Sequence, residues 1–230
     1  MKGSALMKSI LAVLIILGSL IGICFAANIK KQVREVAFKT ADQGQIFANL
    51  YGGGNHAVVL AHGAIFNKES WDPLAQQLSA KGYCVLVLDF RGYGKSVAGK
   101  KEKALYEDVL AAVRYIRGQG AQKVSVIGGS MGGGAAAMAA VKAKQDEIDQ
   151  LILLSPVPIN TPELMRSSKL FIASKDESIV PTVKKQFEKA AKPKKLVLLE
   201  GNAHAQHIFK TDQAQKLTSL IFEFLASSDN

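Results

Sequence analysis

The sequence predicts an α/β fold: a mostly parallel sheet of about eight strands with helices on both faces, preceded by an antiparallel hairpin. Three observations lead there. Short, nearly continuous apolar runs recur at residues 57–61, 85–89, 123–127, 151–155, 170–174 and 195–199. Helical patterns fill the gaps at 69–81, 104–117, 131–144, 182–191 and 211–227. Ahead of them, residues 33–38 and 45–51 alternate apolar with polar across the turn Asp42-Gln43-Gly44. Strands that alternate with helices build a parallel sheet, and strands apolar throughout need cover on both faces.

Each element follows from its own residues. The alternating pair around Asp42 reads as a β-hairpin, and Gly52-Gly53-Gly54-Asn55 turns the chain into the first parallel strand. The helical stretch after residue 130 is made almost entirely of Gly, Ala and Met, small enough to lie close against a sheet. No repeat, linker or low-complexity stretch interrupts the series, so residues 27–230 are expected to form one domain with a large core. A composition of 48% hydrophobic and 21% charged residues is an ordinary globular balance and excludes a disordered chain.

The N-terminus is of another kind. Lys2 and Lys8 lead into an uncharged apolar run over residues 10–27 that closes on small residues before Asn28. A positive start, an apolar middle and a small-residue exit describe a secretory signal over residues 1–26, with Cys24 and Ala26 at the −3 and −1 places of a cut after Ala26. The expected location is therefore periplasmic or secreted. An uncleaved N-terminal membrane tether is the alternative, although the run is slightly short for a span. Acylation of Cys24 would need a small residue before it, and Ile23 is not small. Once the leader is removed only Cys84 remains, in an apolar strand-like run, which fits a buried inert thiol and allows no internal disulfide.

The chain's net charge of +10 falls to +8 without Lys2 and Lys8. Lysines gather at 100, 101 and 103 and again at 184, 185, 189, 192, 194 and 195. They suit a solvated surface, and peripheral contact with an anionic membrane surface is the functional alternative. No aromatic interleaving or nucleic-acid motif accompanies them, so no nucleic-acid partner is expected.

Chemistry in such sheets collects at the carboxyl ends of the strands. Read in order, those ends carry His62-Gly63-Ala64, then Asp89 through Ser96, then Gly128-Gly129-Ser130-Met131-Gly132, then Ser155-Pro156, then Lys175-Asp176-Glu177, and last Gly201-Asn202-Ala203-His204. The third is a G-x-S-x-G pentapeptide between a strand-like run and a small-residue helix, the setting of a nucleophile elbow. Its turn strains the Ser and needs near-absent side chains beside it, which Gly128, Gly129 and Gly132 supply.

This series of separated motifs, spanning about residues 56–225, resembles the α/β-hydrolase family, and its small capless, dienelactone-hydrolase-like members in particular. The resemblance implies a catalytic Ser130, an acid at Asp176 and a base at His204, in the order Ser, Asp, His. Glu177 is the alternative acid and His207 the alternative base. The position directly after the strand favours Asp176, and the shorter reach from the last strand favours His204. The oxyanion hole would be formed by the N–H of Met131 and that of Ala64, with Ile65 the alternative. His62 is expected to be a structural loop residue, and Asp89 and Arg91 to brace the turn that contains them.

Only residues 157–169, broken by Pro158 and Pro162, stand where many relatives insert a cap, so an open site with no cap domain is expected. Its walls would come from residues 64–68, 93–98, 156–165 and 205–209. No Cys/His cluster suggests a metal, and no motif suggests a cofactor; Gly52-Gly53-Gly54 is too short to cradle a phosphate. The function implied is an exported serine hydrolase that cleaves small-molecule carboxylic esters or thioesters through an acyl-enzyme. An amidase or peptidase on the same residues, or a non-catalytic binding module on the same fold, are the alternatives.

Overall fold

A computed structural model describes residues 33–227; the expected leader, residues 1–26, lies outside the described residues. Eight strands form one sheet: β1 (Arg34–Lys39), β2 (Gln45–Tyr51), β3 (His56–Ala61), β4 (Cys84–Leu88), β5 (Lys123–Gly129), β6 (Gln150–Leu154), β7 (Ser168–Ser174) and β8 (Lys194–Leu199). Their spatial order is β1-β2-β4-β3-β5-β6-β7-β8. β2 runs antiparallel to both β1 and β4, and every pair from β4 through β3 to β8 is parallel. This is the mostly parallel sheet with an antiparallel start that the pattern of apolar runs predicts.

Among the described residues four α-helices connect strands, α1 (Asp72–Ala80), α2 (Leu105–Gly118), α3 (Met131–Lys142) and α4 (Val180–Lys189), and α5 (Ala214–Ala226) follows β8. Adjacent strand residues sort to opposite faces, as the pleat demands. In β4, Leu86 and Leu88 join the core beneath α2, α3 and α4, while Val85 and Val87 join the core beneath α1 and α5. Burial on both faces is why these strands read as continuous apolar runs.

Two helices begin differently from expectation. A 3-10 turn over Lys68–Trp71 precedes α1, because Pro73 has no N–H to extend an α-helical ladder back to residue 69. Likewise a 3-10 turn over Ala205–Lys210 precedes α5, so the last helix starts at Ala214 rather than 211. Between β6 and β7 stands one short 3-10 turn, Pro162–Leu164, and no cap domain. Among the described residues no helix is long and apolar enough to cross a membrane.

The hairpin is tied to the rest of the fold by a buried charge cluster. Arg91 donates from Nε and Nη2 to Asp108 on α2, at 2.8 and 2.7 Å, and from Nη1 to Asp42 in the hairpin turn, at 2.9 Å. The Arg91 hydrogen bond holds the Asp42 carboxyl well below its usual range, despite the opposing effect of burial. A carboxylate so depressed adds stability above its unfolded-state pKa near 3.9 and loses that contribution as pH falls below it. Arg91→Met would leave two buried carboxylates without their cation and should destabilise the protein by about 3–5 kcal/mol at pH 7. Urea unfolding measures this, and the gap between variant and wild type should narrow below about pH 4.

Candidate active site

The elbow is built by β5 and α3. Ser130 stands between them with φ 52° and ψ −114°, a backbone conformation that L side chains rarely adopt. Its N–H donates to Leu154 O at 2.9 Å, and its carbonyl accepts from Gly134 N and Val157 N, each at 3.0 Å. The two flanking glycines are required by close approach: a Cβ on Gly128 would collide with the Gly132 carbonyl, and one on Gly132 with the Ala61 carbonyl. That second contact presses the first turn of α3 against the end of β3, next to His62-Gly63. Gly129 is tight in turn against Gln206, whose Cγ would lie 3.3 Å from a Cβ there.

Ser130 Oγ lies 2.8 Å from His204 Nε2. His204 Nδ1 lies 2.8 Å from Glu177 Oε2. The carboxylate fixes the tautomer: Nδ1–H donates to Glu177, leaving Nε2 to accept from the Ser130 hydroxyl. The His204 side chain is 43% exposed and that of Glu177 only 3%, so the imidazole opens to solvent while the carboxylate is sealed behind it. His207 does not compete. Its ring packs against Phe66 at 5.1 Å, away from Ser130.

The carboxylate that meets His204 is Glu177, not the Asp176 that the sequence favours. Asp176 is exposed and makes no contact with His204, and its backbone N–H donates to Gly201 O at 3.0 Å, which fixes the turn between β7 and α4. That turn carries Asp176 outward and brings the next residue back under the sheet end. Glu177 Oε1 accepts from Ser155 Oγ and from Ser174 N, both at 2.7 Å. Two donors and an imidazole therefore converge on one buried carboxylate. The available signal in the sequence was the Ser at each neighbouring strand end, Ser155 and Ser174, offering hydroxyl and N–H partners to a buried acid.

The loop after β3 is held so that few of its polar groups remain free. His62 is fully buried, its Nδ1 2.9 Å from Gly63 O and its Nε2 accepting from Phe90 N at 3.2 Å. Burial pushes its pKa down, consistent with a neutral structural ring. Gly63 N donates to Gln206 Oε1 at 2.7 Å, and Tyr93 Oη donates to Ala64 O at 2.8 Å and lies 3.9 Å from Met131 Sδ. Tyr93 thus touches both residues whose N–H groups were expected to form an oxyanion hole. Ile65 is 78% exposed and extends past this position toward solvent. Met131 N begins the 12-residue helix α3, whose positive dipole end lies at Ser130.

Two supporting residues, Lys68 and Gln206, were not anticipated. Lys68 is buried and donates from Nζ to Asp89 Oδ2 at 2.6 Å and from its N–H to Oδ1 at 2.8 Å; Asp89 braces its turn through this lysine, whereas Arg91 serves Asp42 and Asp108. Gln206 clamps Gly63 and donates from Nε2 to Ser70 Oγ at 2.8 Å. Neither has a local sequence signature, since each partner is distant in the chain. His56, without an assigned partner in the sequence, meets Ser125 Oγ at 2.8 Å and the Tyr83 ring. Cys84 is buried with its thiol pKa raised by that burial. Among the described residues no group of His, Cys, Asp and Glu is arranged to hold a metal ion.

The chain belongs to the alpha/beta hydrolase fold family, whose model matches residues 56–191. It is similar to an uncharacterized protein of Mycobacterium tuberculosis, 27% identical over 213 residues, covering 78% of this chain and 75% of that protein. It also resembles a bifunctional esterase/perhydrolase of Acinetobacter calcoaceticus, 31% identical over 123 residues, which span 52% of this chain and 44% of that one. Among solved structures, an esterase of Pyrococcus furiosus superposes with a TM-score of 0.74 at 20% identity, over 84% of this chain and 92% of that one. An esterase of Exiguobacterium antarcticum superposes with a TM-score of 0.70 at 16% identity, over 84% of this chain and all of that one (100%).

The pairing of Glu177 rather than Asp176 with His204 predicts unequal stability losses. Glu177→Ala strands a buried hydroxyl and a buried N–H and should cost about 3 kcal/mol, while Asp176→Ala should change stability by less than about 0.5 kcal/mol. Urea denaturation of the two variants checks this.

Proposed function

We propose that the protein is a serine hydrolase that cleaves carboxylic esters or thioesters through an acyl-enzyme on Ser130. The observation that carries this reading is the unbroken chain from Ser130 Oγ through His204 to Glu177, 2.8 Å at each step, at a strained elbow. As Oγ attacks the acyl carbon, His204 Nε2 takes its proton, and Glu177 stabilises the imidazolium. In this reading the oxyanion accepts hydrogen bonds from the N–H groups of Met131 and Ala64. Collapse breaks the bond to the leaving alcohol or thiol, which receives the proton from His204. Water then repeats the sequence on the acyl-enzyme and frees a carboxylic acid. The similarity to esterases supports this choice of chemistry.

The experiment is labelling of the folded protein with a fluorophosphonate probe, followed by turnover of p-nitrophenyl esters and the matched anilides. Labelling should vanish in Ser130→Ala; a folded wild-type protein that resists the probe would sink the proposal. Glu177→Gln should lower kcat by roughly 10³–10⁴, and Asp176→Asn should leave it within about twofold. Anilides turned over faster than esters would instead make it an amidase.

We further propose that the protein is exported by a leader over residues 1–26, a reading supported by the charge and hydropathy pattern there. Mass spectrometry of the protein recovered from outside the cytoplasm should find an N-terminus at Ala27.

A further inference from the structure

A groove of about 890 Å³ runs between α1 and α5, within the size range of small-molecule sites. Its lining follows one stripe of each helix. Residues 70, 74, 77 and 81 contribute from the α1 side, and 214, 218 and 222 from α5, spacings of three and four that keep side chains on one face. The stripe from Ser70 to Lys81 is about 15 Å long. Trp71, Leu74, Phe209 and Phe222 give it an apolar wall, and Gln77, Lys81 and Glu223 are among its polar lining.

One end of the groove abuts the candidate active site. It is formed by Phe66, two residues beyond Ala64, and Gln206, two residues beyond His204. The Gln206 side chain lies against Gly129, beside the nucleophile, and holds Gly63 and Ser70 together through its amide. At the same end Lys210 places its ammonium 6.0 Å over the Phe66 ring. An apolar trough of this length, with a cation at the end nearest the acyl-transfer groups, complements a hydrocarbon chain whose head becomes a carboxylate.

We propose that this groove holds the unbranched acyl chain of the substrate, so that the enzyme is selective for long-chain esters. The inference rests on the serine-hydrolase reading for its chemistry, but the groove itself is testable without turnover. Across p-nitrophenyl esters from acetate to decanoate, kcat/KM should rise about two- to fourfold per added methylene, the gain expected from burying each CH₂. Thr218→Trp, which fills the groove, should flatten that series. Lys216→Trp, on the outer side of the same helix, should retain it. In Ser130→Ala, which lacks the nucleophile, decanoate should bind with one-to-one stoichiometry by calorimetry, and the added Thr218→Trp change should abolish binding.

A flat series in the wild type, or a series that Thr218→Trp leaves steep, would overturn the proposal. So would a concentration-dependent dimer that Thr218→Trp disperses without altering the series, which would make the groove a contact between copies. Decanoate binding lost on Thr218→Trp, in a protein that turns over no ester of any length, would uphold the groove and reject the hydrolase reading instead.

Discussion

The backbone of Ser130 is the constraint around which the site is arranged. Its φ of 52° and ψ of −114° persist because its N–H and carbonyl are bonded to β6 and the following loop, and because glycines remove every competing Cβ. Two other non-glycine residues with positive φ stand beside it. Ser155, φ 41°, directly follows β6 and donates to Glu177; Ala205, φ 48°, directly follows His204. Such conformations cost of order 1–3 kcal/mol each and survive only where surrounding structure overrides them. Here all three orient members of one hydrogen-bonded chain.

A polar framework fixes the loops around that elbow. Arg91 joins the hairpin turn to α2 through Asp42 and Asp108, and Lys68 joins the loop after β3 to the turn after β4 through Asp89. All three ion pairs are buried, where an unmatched charge would be costly and each partner therefore demands the other. The consequence is geometric. The loops after β3 and β4 are fixed relative to each other, and Tyr93, carried on the second, meets Ala64 on the first. Gln206 adds a third tie, so the loop that presents His204 also restrains the loop that presents Ala64.

The two sides of the site then have different characters. Toward α2, α3 and α4 the elbow rests on small residues and a closely packed core. Toward α1 and α5 the helices separate enough to leave an aromatic-walled groove that reaches the same loops. With a single 3-10 turn between β6 and β7 and His204 partly exposed, access from solvent is direct. Selectivity in such a site would fall to the surfaces beside Ser130 rather than to a covering domain.

Much of this was determined by the sequence alone. Doubly covered strands must be apolar at every position, so the runs at 57–61 and 151–155 disclosed a parallel sheet, and Gly128, Ser130 and Gly132 between a strand and a small-residue helix disclosed the elbow. These features are legible because they are local: periodicity and the absence of side chains act within a few residues. The choice between Asp176 and Glu177 was not local. It depends on a backbone bond from Asp176 to Gly201, a loop apart, that turns one carboxylate to solvent and the next toward Ser155, Ser174 and His204. Lys68 with Asp89, Gln206 with Gly63, and the fully buried Lys169, whose pKa burial lowers to about 8, were hidden for the same reason. Which of two adjacent acids faces inward, and which polar side chains are buried with a partner, is set by contacts between distant segments, and only the tertiary structure brings those segments together.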